Sequence, residues 1–276
     1  SLAFNHRAAE FERELVNLET LAARLATAPP ADPRTVGELL CALPVQRMMW
    51  EGLHDQGCGL RARAEAWLDR WPDARPHYRG DVLNVAAFGC KSEGDVDAGL
   101  AYCDRGESAH QGDAGHFGVS WSKALRALLL LKRGDFRAAL DSADAGLRHV
   151  HGHLRGYTEH AAYLEAVRAA VLYEFDDVAA ATQALEAYPA ALDDRGGADF
   201  LLLTSLTRAR LQFLAGRHDE GFAALQLGRR LSQRLGLHRV AVTLAGEECV
   251  WLCRFGQVPA ATELARANDF DRALHR

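Results

Sequence analysis

The chain has 276 residues, 49% of them apolar and 25% charged, the balance of a folded protein with room for one large domain or two small ones. Thirty-two basic against 37 acidic residues leave a formal charge of −5, so no global basic field recruits nucleic acid. Disorder and a fibrous chain are excluded, and uncharged apolar stretches such as Phe200 to Thr207 fall far short of the roughly 20 residues of a membrane span.

In chain order, Ala8 to Leu25 reads as an amphipathic helix stopped by Pro29-Pro30. Residues 1–30 therefore form an N-terminal helix packing on, or leading into, the helices after it. A hairpin with Gly57 as its turn comes next, with Ala62 and Ala66 at its small positions. Further on, Phe136, Ala139, Leu140, Ala143, Leu147 and Val150 make one helical stripe. Val119 to Leu131 before it is apolar all round, and Gly134-Asp135 between them supplies a helix stop and a new start. The unit is a helical hairpin.

Equivalent turns fall at Gly94, Phe175, Gly216 and Gly256, a period of about 40 residues. Five residues after each marker come Gly99, Ala139, Ala180, Gly221 and Ala261, all small. Twelve after come Gly106, Gly146, Ala187, Gly228 and Asn268; seven before come Ala87, Ala127, Arg168, Ala209 and Cys249. Small residues recurring at fixed phase mark places where stacked helices approach closely. The expected fold is all-α, a solenoid of five to six hairpins over residues 36–276. Ala260 to Leu274 closes it as a helix with no partner after it, which points to a segment of a longer chain and favours a homodimer through the uncapped end.

Gly134-Asp135-Phe136-Arg137-Ala138-Ala139-Leu140, continuing to Gly146-Leu147, resembles the second helix of a tetratricopeptide repeat. The 40-residue period is longer than that family's usual 34, and the longer hairpins resemble the sensor solenoid of MalT-like regulators of the LuxR family. The resemblance implies a right-handed superhelix that binds a small-molecule inducer, peptide or protein in its concave groove. It further implies flanking ATPase and DNA-binding modules, with no catalytic activity, cofactor, membrane contact or direct nucleic-acid contact in this segment. A stand-alone tetratricopeptide adaptor is the alternative. In such superhelices the residues ten, six and three before each turn line the groove. Here these are Asn84, Phe88 and Lys91, then Leu128 and Leu131, Glu165 and Leu172, Arg210 and Phe213, and Val250 and Cys253, with Trp121 one turn further along.

Chemistry-bearing motifs are sparse. No G-x-x-x-x-G-K-[ST] or HExxH is present. Gly118-Val119-Ser120-Trp121-Ser122 has the outline of a nucleophile elbow but lacks the final Gly and a preceding strand. His149 and His153 are i, i+4 on one helical face, close enough to share a metal, with His160 nearby in sequence; a helix C-terminus, whose dipole and last carbonyls imidazoles favour, explains them more simply. Cys249 and Cys253 have the same spacing around Trp251, and a small buried thiol explains Cys249. Six cysteines (Cys41, Cys58, Cys90, Cys103, Cys249 and Cys253) are too few for a disulfide scaffold. With no signal peptide in view, the cytoplasm is the expected compartment.

Overall fold

The computed structural model describes residues 8–27, 33–55, 59–111, 115–155, 158–187 and 197–270. The described residues form thirteen α-helices and no strand: α1 (Ala8–Thr27), α2 (Pro33–Leu53), α3 (Leu60–Arg70), α4 (Pro76–Glu93), α5 (Val96–Gln111), α6 (His116–Arg133), α7 (Phe136–His153), α8 (Thr158–Glu174), α9 (Val178–Glu186), α10 (Ala198–Leu214), α11 (His218–Arg234), α12 (His238–Arg254) and α13 (Val258–Ala267). They fall into two compact units, residues 1–168 and 169–276.

In the first unit, α1 lies on α2, burying Leu15 and Ala22 against Leu43. Arg47 of α2 holds it there through two bonds to Glu19 (3.0 and 2.9 Å) and one to Glu12 (2.5 Å). Each helix from α3 to α7 packs on its predecessor, and α4 also touches α2 and α6. The hairpins thus stack through their first helices. In the second unit α10 packs on α9 and α11 and also touches α12, while α12 packs on α11 and α13.

The turns repeat one backbone device. Gly94, Gly134, Gly216 and Gly256 adopt φ of 84°, 82°, 72° and 75°, a left-handed conformation without penalty for glycine. The next residue in each case donates its N–H to the carbonyl five residues back, as Asp135 does to Leu130 at 2.9 Å and Gln257 to Leu252 at 2.8 Å. This is the Schellman closure of a helix C-terminus.

Two expectations shift in register. In the fourth hairpin the left-handed residue is Asp176 (φ 60°), with Asp177 bonded to Leu172, and not Phe175. Asp enters this region more readily than most residues, so no glycine marks the turn. Counting from Asp176 replaces Ala180 by Ala181, which is 0% exposed, and replaces the discordant Arg168 by Ala169, also 0% exposed. In the hairpin of α2 and α3 the predicted marker Gly57 lies outside the described residues. Two residues there are left-handed, Asp55 just after α2 (φ 57°) and Gly59 just before α3 (φ 64°). Ala62 and Ala66 are not the buried positions of α3; Ala64, five after Gly59, is. In the last hairpin α13 closes at Ala267 and Asp269 turns left-handed (φ 55°); the Leu274 expected to end this helix lies outside the described residues.

The small positions are small because neighbouring side chains occupy the space. A Cβ on Gly99 would meet Leu129 of α6 at 2.9 Å, and one on Gly146 would meet Leu164 of α8 at 2.7 Å. Gly106 faces both Asn84 of its own hairpin and Ser122 of the next; Gly228 likewise faces Ser205 and Leu244. His110 of α5 is received most deeply. Its ring lies against Gly80 and Gly118, and a Cβ on Gly118 would enter the imidazole.

Gly146→Ala is expected to destabilise the protein by about 1–3 kcal/mol, the usual cost of overpacking. Gly37→Ala, in α2 with nothing within 4 Å of the added atom, is expected to stabilise by about 0.5–1 kcal/mol through helix propensity. Urea unfolding of the two variants checks the pair; equal effects would contradict the packing described.

Candidate ligand cleft

Three of the predicted groove residues come together in the first unit. Asn84 and Phe88 of α4 and Trp121 of α6 line one cleft with Met48, Met49, Gly52 and Leu53 of α2, Leu60, Asp81, Val85 and Leu125. The cleft follows the first helices of three successive hairpins, and its cavity volume is about 50 Å³. Met49 stands six residues before the left-handed Asp55 that follows α2, as Phe88 stands six before Gly94. Lys91 lies beside the group, its Nζ 3.8 Å from the centre of the Phe88 ring, a cation–π contact. A larger opening of about 410 Å³ lies between α2 and the turn before α4, but the Arg75–Glu38 ion pair spans it.

One wall of the cleft is polar and tied down. Asn84 donates from Nδ2 to the Gly118 carbonyl (3.2 Å) and lies 3.4 Å from His110 Nε2. Its Oδ1 accepts from the Ser122 hydroxyl at 2.7 Å. Buried polar groups require such partners, and here they join three helices. Asp81 sits next to them, 3.5 Å from His110 Nε2. Burial pushes its carboxyl up from the ordinary 3.8 to about 7, and His77 offsets only part of this. A fifth of the side chain still meets solvent, which tempers the penalty.

The remaining predicted residues are placed elsewhere. Counted from Asp176, Glu165 is no longer at a groove position; it pairs with Arg168 at 3.4 Å, and burial raises its carboxyl. Tyr173 takes the place three before that turn, and the Arg210 guanidinium lies 5.8 Å from its ring centre. Arg210 makes a two-pronged bond to Glu247 (2.7 and 3.0 Å). Burial raises the Glu247 carboxyl, but the Arg210 contacts more than offset it and hold it below the usual range. Phe213 is a core residue, 5% exposed, with its ring over Gly221 and stacked on Trp251 at 4.2 Å.

Ser120 does meet a histidine, His160 of α8. The hydroxyl donates to the Phe117 carbonyl at 2.6 Å, which leaves the imidazole Nδ1–H to donate to Ser120. That direction is the reverse of nucleophile activation, where the imidazole must take the serine proton. Both side chains are buried, and burial drives the His160 imidazole down from 6.5 to about 3. The contact spans 40 residues and joins α6 to α8, the first helices of successive hairpins.

His149 and His153 end α7, and the structure adds a third histidine to them. His116, the first residue of α6, brings a ring nitrogen to within 4.8 Å of a nitrogen on each of the other two. The 33 residues between His116 and His149 hide this grouping from local spacing.

The raised Asp81 value sets a pH dependence. The folded state holds this proton up to about pH 7 while the unfolded chain releases it near 3.8, so this group's contribution falls as pH rises from about 4 to 7. Asp81→Asn is expected to be more stable than the parent at pH 8, on the order of 2–4 kcal/mol, with the difference vanishing below pH 4. Urea midpoints of both proteins from pH 4 to 8 check this; a pH-independent difference would show that the carboxyl is not perturbed.

No protein-family model matches the chain, and no curated protein resembles it at a significant level.

Proposed function

We propose that this chain is a right-handed tetratricopeptide-like solenoid that recognises a signal molecule, acting as the sensor segment of a MalT-like LuxR-family regulator and carrying no chemistry of its own. The observation behind this reading is the cleft along α2, α4 and α6. It gathers thioether and aromatic side chains from three hairpins around two polar groups, Asp81 and Asn84, the composition of sites for small organic ligands. Its cavity suits an apolar group such as a branched alkyl chain or a ring edge, with a donor or cationic group of the ligand facing Asp81.

Because the cleft is built across hairpins, an occupant contacts all three first helices at once. Binding favours one relative arrangement of those helices, and only such differential affinity lets a ligand shift an equilibrium. A stand-alone adaptor that holds a peptide is the second reading. It draws on the exposed apolar side chains of the second unit, Leu214 at 54%, Val250 at 49% and Val258 at 55%.

Thermal melting against a panel of small metabolites separates the two. A sensor is expected to show a compound that raises Tm with concentration, as binding to the folded state alone requires. Gly52→Leu should abolish that rise while leaving the ligand-free fold intact, since a Cβ there meets only Leu60 and Phe88 at 3.4 Å and a longer side chain enters the cleft. A rise that survives Gly52→Leu would place the ligand elsewhere, and a panel without a hit, followed by capture of a peptide, would favour the adaptor.

A further inference from the structure

The hairpin of α6 and α7 is closed covalently at Gly134 and open at its other end. Three imidazoles meet at that open end. His116 contributes from the first residue of α6, and His149 and His153 from the last turns of α7. The His116 and His153 rings are stacked, 4.3 Å apart at 8°, and the His149 ring lies 5.3 and 4.7 Å from them.

We propose that His116, His149 and His153 bind a divalent transition-metal cation, zinc(II) foremost, which staples the start of α6 to the end of α7. The donor chemistry selects the ion. Imidazole nitrogens suit zinc, nickel and copper, whereas calcium and magnesium require oxygen ligands. Zinc–imidazole bonds of about 2.0–2.1 Å place tetrahedral ligand nitrogens roughly 3.4 Å apart. The present separations, up to 4.8 Å, close to that value by side-chain rotation of about 1 Å per ring, with the helices left in place.

The second shell is already built for one ligand. His149 Nε2 lies 3.1 Å from the His116 carbonyl. A carbonyl can only accept, so Nε2 carries the proton and the lone pair of the neutral ring is on Nδ1. A backbone bond that fixes the tautomer of a ligating histidine is the usual support for such a site. The two helix ends meeting here have opposed dipoles, so affinity rests on the three ligand bonds. His153 is exposed, which leaves the fourth position open to water or to an external donor. Three protein nitrogens with one open position is the coordination of an exchangeable site.

The test uses the full chain, stripped with a chelator and titrated with zinc(II) against a chromophoric competitor, with melting curves taken in parallel. One zinc per chain is expected, with Tm raised by about 5 °C at a hundredfold excess over Kd. His116→Ala and His153→Ala should each weaken binding at least tenfold and remove the rise in Tm. His151→Ala, exposed in the same turn but outside the trio, and Cys253→Ala should change neither. His153 is exposed, so His153→Ala should melt like the metal-free parent, which separates lost ligation from lost folding. Zinc binding by His153→Ala equal to the parent's, or an equal loss in His151→Ala or Cys253→Ala, would overturn the assignment.

Discussion

Close approach of helices through missing side chains is the constraint on which this molecule depends. A helix can lie against two neighbours at once only where its Cβ atoms do not intervene, and Gly106, Gly146 and Gly228 occupy that position twelve residues after their turns. Each receives a side chain from a flanking first helix. The left-handed turns matter for the same reason. They set where the second helix begins, and so which of its residues meet the stack. A shift of one residue rotates a helix by about 100° and would exchange a glycine for a bulky side chain at the crossing.

The cleft inherits its geometry from this packing. His110 fills the slot left by Gly80 and Gly118, Asn84 reaches the Gly118 carbonyl, and Ser122 bonds to Asn84. These contacts hold α4 against α6 along one edge. On the other edge Phe88 and Trp121 face the methionines of α2, and the cleft is the space between. One edge is therefore polar and tied down by hydrogen bonds, and the other is lined by adaptable thioethers. The polar edge also accounts for Asp81, whose ionisation is opposed because the surrounding groups shield it from water without supplying a full counter-charge.

Much of this is legible in the sequence, and the exceptions have physical causes. Helical hairpins and their period follow from glycines that both end helices and recur every 40 residues or so. The expected register slips where Asp176 takes the left-handed turn in place of a glycine, and where Asp55 and Gly59, on either side of Gly57, are the left-handed residues. The first slip moves a face, putting Glu165 and Leu172 in the groove set in place of Ala166 and Tyr173, and Met49 and Leu53 are absent from that set. Phe213 is in the right phase but is drawn into the core, because Gly221 offers its ring a seat that counting does not reveal. His116 escapes because its partners lie on the next helix. Ser120 and His160 are in principle visible, lying near the starts of the first helices of successive hairpins.

Helix stacking is set by side chains received into glycine slots, and the His110–Gly118 contact is where that claim is most exposed to test. A double-mutant cycle on urea unfolding with Gly118→Ala, His110→Ala and the two combined measures it directly. If the ring occupies the slot, the cost of Gly118→Ala should largely disappear once His110 is alanine, giving a coupling of about 1–3 kcal/mol. Additive costs would mean that the ring and the glycine do not meet, and packing through glycine slots would no longer explain this fold.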